Sequence, residues 1–434
     1  MTWFAAWLEA AALVLVTAAF VGLLVGIMTE NRRLPRGARW VETASILAMV
    51  LAVGLRWVEA GWLHPPVTTL RETLGLFVLA VLLAQRALAL RGAGTLFGTV
   101  LALGGMLAML LLDGSGSTAL IPALRSAWLP VHVIAAVVGY SACIVAAGAS
   151  LTYLLRSGAA FTWLRVLQVT AFAGIAYFVA ERSAEQGRAG FGLAGSVFDG
   201  AAWRRLSPLD LGRLPGAFVE LPVTEGVGTA TLFLGLSFFG LFALGGRYEA
   251  LGPWTNRAYK LFVVALSGTL SAFLAEVYLQ PPRVVLPGLR VQVRLGSDPF
   301  LLAALVCVWA VGLVLYVMQF NLLGFLRALP DERDVERVAE GAVDLAVVGL
   351  GLVLVSGSLW AWQVWGRAWG WDPKESWTFC TWLVLVAHVH LRHSPAWRGK
   401  PLALLALLGL LGAGITYLGV GLLAGGLHTY AAAP

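Results

Sequence analysis

Flat aromatic side chains are concentrated in one stretch of the sequence, WAWQVWGRAWGWDPKESWTFCTW, residues 360–382. Seven of the 18 tryptophans lie there: Trp360, Trp362, Trp365, Trp369, Trp371, Trp377 and Trp382. An interfacial belt needs only one or two tryptophans at a helix end, whereas many indole faces suit contact with an extended π-system. Arg367 and Lys374 lie among them and can pair with anionic groups. The stretch predicts a site for a planar, anionic cofactor such as haem.

The charged run inside this stretch has a structural explanation. Asp372 suits the N-cap of a helix, Pro373 its first position and Glu375 its third. Together they make a capping box, which predicts that a helix begins near residue 374.

Two histidines are placed to hold the iron of such a cofactor. His132 lies about one turn into an apolar run, and His428 follows the end of the last apolar run. Both are expected at the membrane face that carries the tryptophans, where two imidazoles can bind one iron from opposite sides. The alternative is that both rings simply reach from the membrane interface to water.

Two further histidines, His388 and His390, lie towards the other end of the penultimate apolar run. Two residues correspond to about 200° around a helix, so only one of them can face a helix bundle. An ionisable side chain at this depth indicates a functional site. His393 follows the run and suits a solvated residue that complements the helix dipole.

The composition is that of an integral membrane protein, because 59% of the residues are hydrophobic and only 12% are charged. Runs long enough to cross a bilayer recur at 4–28, 41–58, 68–87, 93–112, 128–155, 162–181, 227–245, 259–279, 299–326, 342–363, 374–391 and 402–424. Helices satisfy their own backbone in lipid, so we predict an all-α polytopic bundle of about twelve transmembrane helices. The first run has no basic segment before it and carries Glu9, which favours a retained helix over a cleaved signal peptide.

Basic residues of the short loops lie mostly on one side of these runs. The positive-inside rule then places both termini and the tryptophan stretch outside. Two longer outer segments, 182–226 and 280–298, carry arginines against this bias. The first is rich in glycine and is predicted to be irregular, with an amphipathic piece on the membrane surface. The second alternates around a Pro-Gly turn, which predicts a small hairpin.

Several classes of function are disfavoured by the sequence. The three cysteines lack C-x-x-C spacing, which argues against a thiol oxidoreductase and against a self-attached c-type haem. No nucleophilic triad or P-loop glycine pattern stands out. The net charge of +7 reflects basic residues that bracket apolar runs, so it indicates membrane orientation and no nucleic-acid partner.

The tryptophan stretch resembles the WWD signature of the CcsA (ResC) family, the membrane subunit of the system II cytochrome c synthase. Residues from Trp365 to Trp377 fit W-G-x-x-W-x-W-D-P-K-E-x-W. Further segments similar to the family are PPVTTLRETLGLF with Glu72, LRSAWLPVHVIAAVVGYSACI, HLRHSPAWRGKP and YLGVGLLAGGLHTY. They cover roughly 65–157 and 340–430 and occur in the family order.

The resemblance implies a set of site residues. His132 and His428 correspond to the outward-facing histidines that hold haem under the WWD loop. His390 and not His388 matches the membrane histidine, since His390-Leu391-Arg392 fits the pattern His-x-Arg. The implied haem-binding set is His132, His428, His390, Trp365, Trp369, Trp371, Asp372 and Trp377, with the three histidines as iron ligands. Arg125, Arg367 and Lys374 are expected to contact the propionates.

The implied activity is haem delivery across the bacterial cytoplasmic membrane, or the thylakoid membrane for a plastid protein. Haem b would then be attached by thioether bonds to the C-x-x-C-H thiols of apocytochromes c. The chain would be part of a holocytochrome c synthase (haem lyase) and would act with a CcsB (ResB) partner, which supplies the second membrane ligand. One alternative is a CcmC-like haem transporter or chaperone that makes no thioether. A further alternative is a di-haem, quinone-linked electron carrier.

Three sections are expected along the chain. Residues 1–156 form an N-terminal membrane section with the outer histidine helix. Residues 157–326 are expected to be an inserted section of four helices with the two outer segments and no histidine. Residues 327–434 form the C-terminal section with the WWD stretch.

Overall fold

The computed structural model describes residues 2–31, 33–60, 67, 69–87, 96–111, 126, 128–157, 161–185, 193–198, 203–206, 222–245, 249–279, 283–285, 292–297 and 299–416. Two of the predicted site residues, Arg125 and His428, lie outside these residues. The chain divides into two compact units, Met1–Ala160 with Asn321–Pro434, and Phe161–Phe320.

Thirteen α-helices form within the described residues. The first unit holds α1 Thr2–Met28, α2 Arg33–Ala60, α3 Leu70–Ala87, α4 Leu96–Leu111 and α5 Trp128–Arg156, and after the second unit α10 Leu322–Ala328, α11 Glu332–Trp365, α12 Pro373–Leu391 and α13 Lys400–Gly414. The second unit holds α6 Phe161–Glu185, α7 Pro222–Gly245, α8 Gly252–Leu274 and α9 Pro299–Phe320.

Each predicted apolar run overlaps one of these helices, so the all-α polytopic class is confirmed. In the part of the chain that the structure describes, seven helices are long and apolar enough to cross a membrane by themselves: α1, α2, α5, α7, α8, α9 and α11. The number of spans and the orientation of the termini stay predictions.

The core of the first unit lies between its two longest helices, α5 and α11. Small residues let the two backbones approach closely: a Cβ added at Gly349 would lie 2.6 Å from Cα of Gly139. Ala142, Ala146 and Ala346 continue this contact and are fully buried. Helices α3, α12 and α13 also contact α5 or α11. The α5–α11 contact therefore fixes the relative positions of the helices that carry the predicted site residues.

A buried carboxylate joins the first three helices. Glu9 of α1 accepts from Arg56 Nε of α2 at 2.5 Å and from Arg71 of α3 at 2.6 Å. Its side chain is almost fully buried. Burying a charge is costly unless it is paired, so this contact fixes which faces of the three helices meet.

Aromatic packing holds the second unit together. Phe238 of α7 lies 5.5 Å from Tyr259 of α8 between ring centroids, and Phe172 of α6 lies 5.6 Å from Phe262 of α8. At the start of α7, the carboxylate of Glu276 accepts from the backbone amides of Val223 at 3.0 Å and Thr224 at 2.9 Å. This carboxylate satisfies amides that the first turn of a helix leaves without intrahelical partners.

The second unit also contains a small antiparallel sheet. Its strands are β1 Leu193–Phe198, β2 Trp203–Leu206, β3 Arg283–Val285 and β4 Gln292–Ser297, in the order β2-β1-β4-β3. The β3–β4 pair confirms the predicted hairpin of the second outer segment. The prediction that the first outer segment is irregular is wrong, because β1 and β2 pair there. Strand β1 also pairs with β4, a long-range contact that the local glycine-rich pattern could not show.

Candidate functional site

The tryptophan loop, residues 366–372, connects α11 to α12. Helix α11 ends at Gly366, whose φ of 68° is the left-handed conformation that glycine tolerates. Helix α12 begins with the predicted capping box: Lys374 N donates to Asp372 Oδ1 at 3.0 Å, and Asp372 N donates to Glu375 Oε2 at 3.3 Å. The prediction of a helix start at this point is confirmed.

Glu375 does more than complete the cap. The same Oε2 atom accepts from Gly370 N at 2.9 Å, so one carboxylate oxygen binds the backbone on both sides of Trp371. Trp371 has a φ of 55°, a conformation that is rare and costly for a bulky residue. Its side chain is 73% exposed. Glu375 therefore stabilises a strained backbone that presents an indole ring at the surface of the unit.

His132 lies against α11. Its Nδ1 atom is 3.3 Å from Ser356 Oγ, and its ring centroid is 5.8 Å from that of Trp360. A Cβ added at Gly357 would lie only 2.9 Å from His132 Cε1. The imidazole is thus held at its edge by Ser356 and Gly357, and Trp360 packs beside it.

The tryptophans do not share one environment. Trp360 is buried and lies 5.6 Å from Trp365 between ring centroids, which continues the contact from His132. Trp369 packs edge-on against Trp371 at 5.7 Å and Phe379 at 6.1 Å.

The remaining tryptophans of the stretch divide between the core and the surface. Trp382 donates from Nε1 to Val347 O at 3.0 Å and so joins α12 to α11. Trp362 and Trp377 are exposed. Of the predicted haem-binding tryptophans, Trp365 shares the cluster of His132, Trp369 and Trp371 form the loop cluster, and Trp377 lies on an outer face of α12.

The predicted propionate contacts also differ in their surroundings. Arg367 is exposed, and its guanidinium lies over Gly370, since a Cβ added there would be 3.2 Å from Arg367 Cζ. Lys374 is half-buried in the first turn of α12. Arg125 lies outside the described residues, but its neighbour Ser126 donates from Oγ to Gln363 Oε1 at 3.1 Å. That contact holds the start of α5 against the end of α11.

The two membrane histidines face opposite ways. The sequence left open which of them faces the bundle; the structure buries His388 and exposes His390, and the assignment of His390 as a haem ligand stays a prediction. His388 is 2% exposed, and its Nδ1 atom has no hydrogen-bond partner among the described residues. His390 is exposed, and its Nδ1 lies 2.9 Å from Val386 O of the same helix. Packing of α12 against α11 and α13 decides this rotation, which sequence spacing left open.

The arginine of the His-x-Arg pattern has a structural contact. Arg392 NH1 donates to both carboxylate oxygens of Asp344, at 2.9 and 3.0 Å. Asp344 belongs to α11, so the pair holds the end of α12, and with it His390, in a fixed position relative to α11.

Sequence reasoning did not single out Ser356 and Gly357. Ser356 precedes Trp360 by four residues, which is one helical turn, but His132 lies 224 positions away along the chain. No local motif could have joined them. The available signal was a small-residue pair on the face of α11 that also carries a tryptophan.

Comparison with known proteins finds a matching family and several curated relatives. Residues 228–428 match the family described as cytochrome C assembly protein. The resemblance to the CcsA family is confirmed. The matched range begins within α7 and includes the tryptophan loop.

Curated relatives carry the name cytochrome c biogenesis protein CcsA. The protein from Prochlorococcus marinus (strain MIT 9312) is 43% identical over 97 residues, which are 22% of this chain and 31% of the relative. The protein from Porphyra purpurea is 46% identical over 89 residues, 19% of this chain and 28% of the relative. The CcsA-like match therefore spans less than a third of the length of each of these relatives.

Proposed function

We propose that this chain is a membrane component of cytochrome c biogenesis that binds haem at His132 and presents it beside the tryptophan loop. The observation that carries this proposal is the position of His132. Its imidazole is held by Ser356, Gly357 and Trp360 on the last turns of α11, which leads directly into the loop.

The residues at this end of the first unit fit haem as a substrate. Imidazole is a usual ligand of haem iron. The indoles of Trp365 and Trp371 offer flat apolar surface, and the exposed Arg367 can pair with a propionate. His428 is proposed as the second ligand on the strength of the family resemblance.

Thioether formation demands little chemistry from the chain itself. Each thiol of C-x-x-C-H adds across one vinyl group of haem: the S–H bond and the vinyl π bond break, one S–C bond and one C–H bond form, and there is no net transfer of electrons. The nucleophiles belong to the apocytochrome. The chain supplies position, because holding two reactants in the right geometry can account for much of a rate gain. The strained, outward Trp371 is in a suitable place to orient the haem edge.

The exposed position of His390 supports a partner subunit. An ionisable side chain that faces lipid is costly, and a neighbouring membrane protein removes that cost. Because Nδ1 of His390 is engaged by Val386 O, Nε2 is the nitrogen directed away from its own helix backbone. We propose that a CcsB (ResB) subunit covers this face and supplies the opposite haem ligand, in the bacterial cytoplasmic membrane or in the thylakoid membrane.

The test uses the full chain expressed with its partner and a reporter apocytochrome that carries C-x-x-C-H. Haem content of the purified complex and covalent haem on the reporter are measured for His132→Ala, His428→Ala and His390→Ala. His393→Ala is the matched control, since His393 is exposed just beyond the end of α12. We expect each of the three variants, but not the control, to lose haem or reporter maturation.

Two results would count against parts of this proposal. If haem content and maturation survive the loss of both His132 and His428, the site is wrong. If the wild-type complex binds haem but matures no reporter, the CcmC-like reading as a haem transporter or chaperone replaces the synthase.

A further inference from the structure

We propose that Ser356 is a positioning residue that sets the tautomer of His132, so that Nδ1 carries the proton and Nε2 carries the lone pair that binds iron. The inference rests on the proposed function in one respect, namely that His132 is a haem ligand. The tautomer itself is a property of the apo chain and can be measured without haem.

The hydroxyl of Ser356 has one proton, and the geometry shows where it goes. Ser356 Oγ lies 2.6 Å from Leu352 O and 3.3 Å from His132 Nδ1. A hydroxyl has one donor and two acceptor lone pairs. A carbonyl oxygen cannot donate, so the short contact requires that Ser356 donates to Leu352 O. A lone pair of Oγ then faces His132, and only a protonated Nδ1 can satisfy it.

The orientation of the ring agrees with this assignment. A Cβ added at Gly357 would lie 2.9 Å from Cε1 of His132, 3.2 Å from Nδ1 and 4.0 Å from Nε2. The Nδ1 edge of the imidazole therefore faces α11, and Nε2 is the ring nitrogen farther from it. A neutral imidazole has one N–H, so a proton on Nδ1 leaves the lone pair on Nε2.

A second contact of α5 follows the same rule. Thr378 of α12 donates from Oγ1 to Lys374 O at 2.7 Å, and Tyr140 OH lies 3.0 Å from the same Oγ1. Since the proton of Thr378 is already engaged, Tyr140 is the donor. At both places a helix hydroxyl bonds its own backbone four residues earlier and accepts from a side chain of α5.

The setting of Ser356 makes the hydrogen bond effective. Ser356 is 3% exposed, and a hydrogen bond is electrostatically stronger where water is excluded. Metal-binding histidines commonly donate their second N–H to such an acceptor, which fixes the ring and raises the basicity of the ligand. Loss of such a partner typically weakens metal affinity about 10- to 100-fold.

The experiment measures the tautomer and the haem affinity separately, on the full chain in detergent. Nitrogen NMR of isotope-labelled histidine, assigned with His132→Gln, reports which ring nitrogen is protonated in the apo chain. Haem titration reports affinity. The variants are Ser356→Ala, Ser356→Thr, which keeps the hydroxyl, and Ser358→Ala, a control on the same helix.

We expect His132 to carry its proton on Nδ1 in the wild type, in Ser356→Thr and in Ser358→Ala. In Ser356→Ala we expect a shift towards the Nε2-protonated form, with haem affinity about 10- to 100-fold weaker. An unchanged tautomer in Ser356→Ala would overturn the inference, even if the variant were less stable, because a purely structural serine would not move the proton. If instead His132→Gln binds haem normally, the proposed function fails while the tautomer measurement still stands.

Discussion

Two histidines on different helices of the first unit, His132 on α5 and His390 on α12, have very different surroundings. His132 is held by another helix: Ser356 bonds its Nδ1, and Trp360 packs against it. Among the described residues, His390 bonds only the carbonyl of Val386 in its own helix, and its side chain is exposed. The proposed site at His132 is therefore preorganised within this chain. The proposed site at His390 would need its opposite ligand from the proposed partner subunit.

The difference between the surroundings of His132 and His390 can be tested by measuring stability and haem binding together. A site that is built by contacts between helices fails when those helices are separated. A site on an outer face does not depend on them. The following substitutions test this difference, in decreasing order of expected effect.

Gly349→Ala should have the largest effect on the preorganised site. The added Cβ would lie 2.6 Å from Cα and 2.8 Å from N of Gly139, and this backbone cannot move aside without separating α5 from α11. We expect a loss of about 1 to 3 kcal/mol of unfolding free energy and a weaker haem site at His132. Thermal unfolding in detergent and haem titration measure both.

The matched control is Gly54→Ala, since no atom lies within 4 Å of a Cβ added there. Alanine is the better helix former by up to about 1 kcal/mol, so this variant should be as stable as the wild type or slightly more stable. Equal losses in both variants would contradict the proposed role of the α5–α11 crossing.

Glu375→Ala should destabilise the tryptophan loop. It removes the acceptor for the amides of Gly370 and Asp372, and loss of such contacts costs about 1 to 2 kcal/mol. Glu375→Gln keeps a side-chain carbonyl and should retain most of the stability. Calorimetry gives the difference in free energy of unfolding between the two variants. If the alanine variant is as stable as the glutamine variant, the hydrogen bonds from Gly370 N and Asp372 N to Glu375 do not stabilise the loop.

His388→Leu, unlike the two preceding substitutions, should not lower the free energy of unfolding. His388 is buried and its Nδ1 has no hydrogen-bond partner in the described part of the chain, so an apolar side chain of similar size should leave stability unchanged or raise it by about 1 kcal/mol. His390→Leu should leave the stability of the isolated chain unchanged and remove haem binding at the partner face. Unfolding curves, and haem content with and without the partner, compare the two. If His388→Leu loses haem and His390→Leu does not, His388 and not His390 is the membrane haem ligand.

Trp371→Gly should give the smallest change. Glycine relieves the left-handed strain of about 1 kcal/mol at this position, but part of that gain is offset by the greater freedom of glycine in the unfolded chain. We expect the free energy of unfolding to rise by about 0.5 kcal/mol, together with weaker haem retention. Trp371→Phe keeps a bulky residue at φ 55° and should show no gain in the same unfolding assay.

Features that depend on neighbouring residues were predicted well from the sequence. The capping box of Asp372 and Glu375 formed as the spacing required, because its donors and acceptors lie within four residues. Strands β3 and β4 of the second outer segment also paired as predicted. The β1–β2 hairpin was missed because the glycine-rich segment gives a weak strand pattern, and β1 gains its second neighbour, β4, from a distant segment.

The sequence by itself determined where the helices run, since apolar length and backbone hydrogen bonding leave lipid-embedded chain few other options. It also determined the capping box of Asp372 and Glu375, at which the tryptophan loop ends and α12 begins. Only the tertiary structure decided which of His388 and His390 faces the bundle, and that Ser356 meets His132. Both outcomes depend on how each helix is rotated about its axis. That rotation is set by close contacts such as Gly139 with Gly349, which join residues too far apart in sequence for any local pattern to specify.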